Sequence, residues 1–243
     1  MDRQSDIQFE LGAKHDELMS DPLMQSFGDI ASTLHRAANI VREGHPMNID
    51  GVGPDLLYVI AQAMRAGANT PARRAGDLEI TRPCIIDGDL VVEGNLLVST
   101  GCVVAGSVKA NGIEIDESGL LAVGGQVDAR AVSGAGWFVV AGDARVAYAC
   151  GYYEVGMFMV RGTLHADLTV FRNHGSLIVT DASRHTFEFW DDVPDDDPDC
   201  HALRALVPPE ALTDREHETT KVDTVDLLEL WERGCRGDPV LIG

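Results

Sequence analysis

The chain has 243 residues, 45% hydrophobic but only 6% aromatic, which suits a sizeable core built from Val, Leu, Ile and Ala rather than large rings. Its formal net charge of −20 has the wrong sign for gripping a phosphate backbone, so nucleic-acid binding is not expected, whereas a basic protein partner would be drawn in by long-range attraction. The five cysteines, Cys84, Cys102, Cys150, Cys200 and Cys235, are odd in number and contain no Cys-x-x-Cys pair, which argues against a disulfide framework or a zinc site and fits a reducing compartment.

The opening residues, Met1 to Asp6, lack the basic-then-apolar order of a signal peptide. No apolar run approaches the ~20 residues needed to cross a bilayer. A cytoplasmic protein with no membrane contact is the expectation.

Residues 1–75 read as a helical region. Phe27, Ile30, Ala31, Leu34, Ala38 and Val41 recur at steps of three and four, the period of a helix with one apolar face. Gly44, His45 and Pro46 should end it. A second helix is expected after Pro54, with Leu57, Ile60, Ala61 and Met64 on its apolar side. Arg73-Arg74-Ala75-Gly76 looks like the junction into the next part.

Over residues 76–190 the pattern becomes strand-like. A Val-x-Gly unit recurs at Val92-Glu93-Gly94, Val104-Ala105-Gly106, Val123-Gly124-Gly125, Val140-Ala141-Gly142 and Val160-Arg161-Gly162, with Val179-Thr180-Asp181 as a sixth copy in which Asp replaces Gly. The steps from Gly94 onward are 12, 19, 17, 20 and 19 residues. A period near twenty with alternating apolar residues is one turn of a coiled β-structure, and stacked turns bury a continuous core. Val suits the strands and Gly the corners. The predicted fold class is therefore mainly β: a single-stranded β-solenoid with helical flanking segments at both ends. An antiparallel β-sandwich is the competing reading, disfavoured because Asn111-Gly112 is the single hairpin signal.

Residues 191–243 form the third part, an acidic loop and a helical cap. Trp190 to Asp199 holds six aspartates and two prolines, a solvated loop. Short helices are expected over Asp199–Leu206 and from about Thr224 to Arg233, the latter capped by Asp223 or Thr224 and stopped by Gly234 to Gly237. Pro239 to Ile242 is either a last strand or a segment lying against the body. Residues 181–243 carry 17 acids and 6 bases, net −11 of the total −20. Such concentration suits an acidic docking surface better than a uniform solubility charge.

No catalytic set stands out. His165 and His185 are about one turn apart and could lie together, but no third ligand accompanies them at metal-binding spacing. His217 lies in a charged stretch without the second helical His of a zinc protease. Val132-Ser133-Gly134-Ala135-Gly136 is read as a flexible inter-turn loop, and Asn173-His174-Gly175 as a turn. No catalytic residue, metal or cofactor is expected. Tyr152 and Tyr153, assigned to an insertion between turns, are either exposed anchors or buried caps of the interior. Trp190 is the better anchor, beside Asp191, Asp192, Asp195, Asp196, Asp197 and Asp199.

Leu90-Val91-Val92-Glu93-Gly94-Asn95-Leu96 and Asn173-His174-Gly175-Ser176-Leu177 resemble the Leu-x-Val-x-Gly repeats and terminal turn of uncharacterised bacterial β-solenoid proteins, some of which belong to toxin–immunity loci. The resemblance spans under half of the chain. It implies an immunity protein or inhibitor that occludes a basic toxin or effector domain, as a monomer or homodimer. Other proteins of this look resemble bactofilins, which polymerise through their solenoids; here the helical ends are expected to cap the stack and oppose that. A β-helix enzyme of the acyltransferase or carbonic anhydrase kind is a further alternative, and a nucleic-acid mimic a fourth.

Overall fold

A computed structural model describes residues 15–27, 31–33, 35–37, 53–64, 71–153, 156–190, 197–212 and 225–242. In chain order its strands are β1 (Ala72–Arg74), β2 (Leu78–Ile80), β3 (Cys84–Ile86), β4 (Leu90–Val92), β5 (Leu96–Val98), β6 (Gly101–Val104), β7 (Val108–Lys109), β8 (Gly112–Ile115), β9 (Leu120–Val123), β10 (Val127–Asp128), β11 (Ala131–Gly134), β12 (Trp137–Val140), β13 (Ala144–Arg145), β14 (Tyr148–Tyr152), β15 (Met157–His165), β16 (Leu168–Arg172), β17 (Gly175–Asp181) and β18 (His185–Phe189). Among the described residues, helices flank them, including α1 (Pro22–Phe27), α2 (Pro54–Met64), α3 (Pro198–Leu206) and α4 (Leu227–Arg236).

Strands three apart pair in parallel up to the long β15, which spans two faces, and strands two apart pair in parallel beyond it, so the chain coils through about six turns of a three-faced β-solenoid. The first face is the ladder β1-β4-β7-β10-β13, joined by the end of β15. The second is β2-β5-β8-β11-β14-β16-β18. The third is β3-β6-β9-β12, continued by the starts of β15 and β17. An antiparallel sandwich is thereby overturned, because a chain that always turns the same way brings like-directed strands together. On the first face Leu90, Val108, Val127, Ala144 and Leu164 are successive register partners, at steps of 18, 19, 17 and 20 residues.

Two details of the repeat differ from expectation. Gly94 stacks on Gly76, at the corner between the first and second faces, whereas Gly106 stacks on Gly88 and Gly125, Gly142 and Gly162 stack in turn on it, at the corner between the third and first. The 12-residue step of the sequence pattern joined two different corners. The sixth copy is also out of frame, since Val160 pairs with Ile178 and a register shift follows, leaving Val179 46% exposed.

Inside the coil, Leu90, Leu96, Val104, Val123, Phe158 and Leu164 belong to one buried cluster. Phe138, Phe158 and Phe171 stack along the axis, with ring centroids 4.6 and 5.3 Å apart. Val132 to Gly136, expected as a flexible loop, is buried, its first three residues in β11.

The helices lie against the flanks. The third face turns Val103, Leu120, Ala122, Val139 and Met159 outward, and α2 covers them with Leu56, Leu57, Ile60 and Ala61. Asp21, 3% exposed, ties this layer down: it accepts from the Leu23 backbone N–H at the start of α1, takes the Tyr58 hydroxyl at 2.8 Å and pairs with Arg161 at 2.7 Å. Residues 31–33 and 35–37 are helical, whereas Phe27 closes α1; the remainder of the helix expected up to Val41, and its stop at Gly44 to Pro46, lie outside the described residues.

The second face turns Ala131, Tyr148, Cys150, Leu168 and Val170 outward against α3 and α4, through Cys200, Leu203, Leu230 and Cys235. Asp226 caps α4, accepting from the backbone N–H groups of Leu228 and Glu229, both at 3.0 Å. The expected caps Asp223 and Thr224 lie outside the described residues, as does His217. Gly237, at φ 83°, ends α4, whereas Gly234 lies within it, packed on Ala131. Val240 is buried in this layer and the Ile242 N–H donates to the Leu206 carbonyl, so Pro239 to Ile242 lies against the body.

Arg73, Lys109, Asp128, Arg145 and His165 are exposed along the first face. Their signs are mixed, and Lys109 pairs with Asp128 at 3.2 Å, so this face is not the line of carboxylates that a phosphate mimic needs. Among the described residues no helix is long and apolar enough to cross a membrane.

Candidate partner-binding corner

The second-face strands β14, β16 and β18 end in register at Tyr152, Arg172 and Phe189. The residues that follow, Tyr153, Asn173 and Trp190, therefore leave the second face one above another. The Asn173 N–H donates to the Phe189 carbonyl at 2.8 Å, fixing the upper two. Adjacent strands are about 4.8 Å apart, which places Tyr153 and Trp190 about 10 Å from one another along the coil. Tyr153 is 65% and Trp190 58% exposed.

Tyr153 and Asn173 both adopt left-handed backbone, at φ 69° and 49°. Asn takes this conformation readily, but a bulky ring does so at a cost. Tyr153 is held there from the turn above. The buried His174 ring lies 2.9 Å by Nδ1 from the Tyr153 carbonyl, to which that nitrogen donates when protonated, and is stacked on Phe171 at 6.5 Å. Burial pushes the His174 pKa below its ordinary value, with hydrogen bonds to the Tyr153 and Tyr152 carbonyls opposing. Burial thus favours the uncharged ring.

Tyr152 belongs to β14, not to an insertion between turns. Its half-buried ring meets Tyr153 edge-on at 5.4 Å. Burial first, and then the neighbouring Glu114, push its phenol up to about 12. Tyr152 thus braces the exposed ring. The other aromatic side chains of these turns serve three different cores: Tyr148 the layer under α3 and α4, Trp137 the layer under α2, and Phe158 the interior.

The acidic run leaves the same corner directly after Trp190. Asp191, Asp192, Asp195 and Asp196 lie outside the described residues. Asp197 caps α3, its side chain accepting from the Asp199 N–H at 2.8 Å, and Asp199 is exposed in the first turn of that helix. Both carboxylates sit where a helix N-terminus favours negative charge. On the neighbouring last turn, Glu188 is exposed and accepts from the Ser176 hydroxyl at 2.8 Å.

His165 and His185 are not brought together. His165 lies on the first face beside Arg145, and His185 on the second beside Leu168, because a 20-residue step from the end of β15 passes β16 and β17 and reaches the next face. Among the described residues no group of three or more His, Cys, Asp or Glu is placed to hold a metal ion.

The sequence contains no signal for the left-handed Tyr153; the paired Tyr152-Tyr153 at a strand end is its only trace. Asn173-His174-Gly175 was legible as a turn, but not the seat that His174 provides one turn below. No protein-family model, curated protein or solved structure matches the chain.

Proposed function

We propose that the protein is a binding protein that docks on and occludes a basic protein domain, acting as an immunity protein or inhibitor of a toxin or effector. The observation that carries this reading is the corner itself: two exposed aromatic rings, Tyr153 and Trp190, two turns apart on a rigid coil, at the point where the six-aspartate run begins. Large rings on a rigid support make anchors, and dense charge at the rim steers the encounter. Occlusion requires no chemistry of the protein's own.

Co-expression with the products of neighbouring genes, pull-down and affinity measurement test it. A basic domain should be captured, and Tyr153→Ala with Trp190→Ala should weaken capture by about 30-fold or more, the loss typical of anchor residues. Replacing Asp191, Asp192, Asp195 and Asp196 by Asn should chiefly slow association and flatten its salt dependence. Failure to capture any basic protein, or capture indifferent to both sets of changes, would rule the reading out.

One observation favours a second reading, self-assembly end to end. The described helices α2 and α4 pack on the flanks of the coil. The terminal strands are open in part, with Arg73 and Arg74 exposed in β1 and Val179 to Asp181 in β17. Concentration-dependent filaments in electron microscopy would support it; a monodisperse monomer or dimer in light scattering would remove it.

A further inference from the structure

Cys84 and Cys102 are register partners in β3 and β6, both turned into the core of the coil, with their sulfurs 3.5 Å apart. Cys102 is fully buried, whereas Cys84 is half-buried in the first turn of the solenoid. β3 ends its ladder and is hydrogen-bonded within it to β6 alone. The spacing of adjacent strands, about 4.8 Å, falls within the Cα separations that a disulfide spans, and the sulfurs need about 2.05 Å. Rotation of the two side chains and a small shift of an edge strand supply that approach.

We propose that Cys84 and Cys102 form an oxidisable dithiol that a low-molecular-weight disulfide converts to an intramolecular bond, stapling the first turn to the second. The Cys84 thiolate attacks one sulfur of the small disulfide and expels a thiolate. Cys102, giving up its proton, then attacks the Cys84 sulfur of the mixed disulfide and expels the second thiolate. One S–S bond forms in the protein and one breaks in the oxidant. The protein loses two electrons and two protons, and the oxidant becomes two thiols. The order of events follows from the pair: the Cys102 hydrogen bond lowers the Cys84 pKa against its burial, while Cys102 is pushed up. The partly exposed member is thus the better nucleophile. The bond closes a segment of 18 residues containing β4 and β5, so it closes one complete turn on itself.

The test uses the full chain treated with oxidised glutathione, quenched, denatured, alkylated and mapped by mass spectrometry. Two of the five thiols should resist alkylation and appear as a cross-link between the peptides that hold Cys84 and Cys102, reversible by reductant. Cys150→Ser should leave this unchanged and Cys84→Ser should abolish it. A wild-type chain that stops at a glutathione adduct on Cys84, that joins other cysteines, or that keeps all five thiols would overturn the proposal. The decisive map is made on the wild-type chain, so a variant that folds poorly does not blur the result.

Discussion

Tyr153 combines a bulky ring, 65% exposure and a left-handed backbone, a combination that stability alone does not favour. Replacing it by Asn, which tolerates φ near 69°, removes a backbone cost of about 1–2 kcal/mol and a ring with little burial. Tyr153→Asn is therefore expected to raise unfolding free energy by about 1 kcal/mol while weakening partner capture. Urea titration beside affinity measurement checks it, and a destabilised variant would show that the ring contributes to packing instead. His174 supplies the matching pH test. Its folded pKa is depressed by burial, so its contribution is fully present above the ordinary value near 6.5 and is lost as pH falls below that toward the folded value. From about pH 7 to about pH 5 the wild-type chain should lose more stability than His174→Gln, which keeps a donor for the Tyr153 carbonyl without titrating. Equal losses would mean that the imidazole titrates alike in the folded and the unfolded chain, so that burial does not disfavour its charged form.

At the scale of elements, the flanking helices depend on close approach to small residues. A Cβ on Gly124 would lie 2.5 Å from the carbonyl oxygens of both Ala61 in α2 and Ala105 in the turn below, and Gln62 donates to the Gly124 carbonyl at 3.3 Å. Both obstacles are backbone, so Gly124→Ala should lift α2 off the third face at a cost of about 1–3 kcal/mol. Faster hydrogen exchange across Pro54–Met64 and altered emission from Trp137 beneath that layer are the expected readouts; unchanged exchange would show that the corner opens instead. The location of the helices was partly legible. Val127-Asp128 and Ala144-Arg145 alternate buried and exposed, as strands with one wet face do. Leu120–Val123 is buried at all four positions and Trp137–Val140 at three, with Trp137 half-buried, the pattern of strands covered on both faces. Those apolar runs are visible in the sequence and call for an outer layer on the third face. The seat of Tyr153 was not legible, because it depends on which residue stacks one turn above, and register across turns of 17 to 20 residues is set by packing rather than by local pattern.

For the whole molecule, each turn touches mainly the turns on either side, so stability is close to a sum of neighbouring interfaces. Phe158 occupies the interior between Phe138 and Phe171 and joins the middle of the coil to its C-terminal turns. Phe158→Ala leaves a cavity that parallel ladders of fixed spacing cannot close, and should cost about 3–5 kcal/mol. A nearest-neighbour stack localises this loss. Hydrogen exchange should quicken in β12, β15 and β16 well before β4 to β6, and partner capture should fall because the corner is built on the turns that loosen. Uniform quickening along the coil would mean instead that α2 and α4, which each pack across three successive turns, bind the stack into one cooperative unit. The two outcomes separate a coil that presents its binding corner on an independently loosening end from one that holds the corner as firmly as its core.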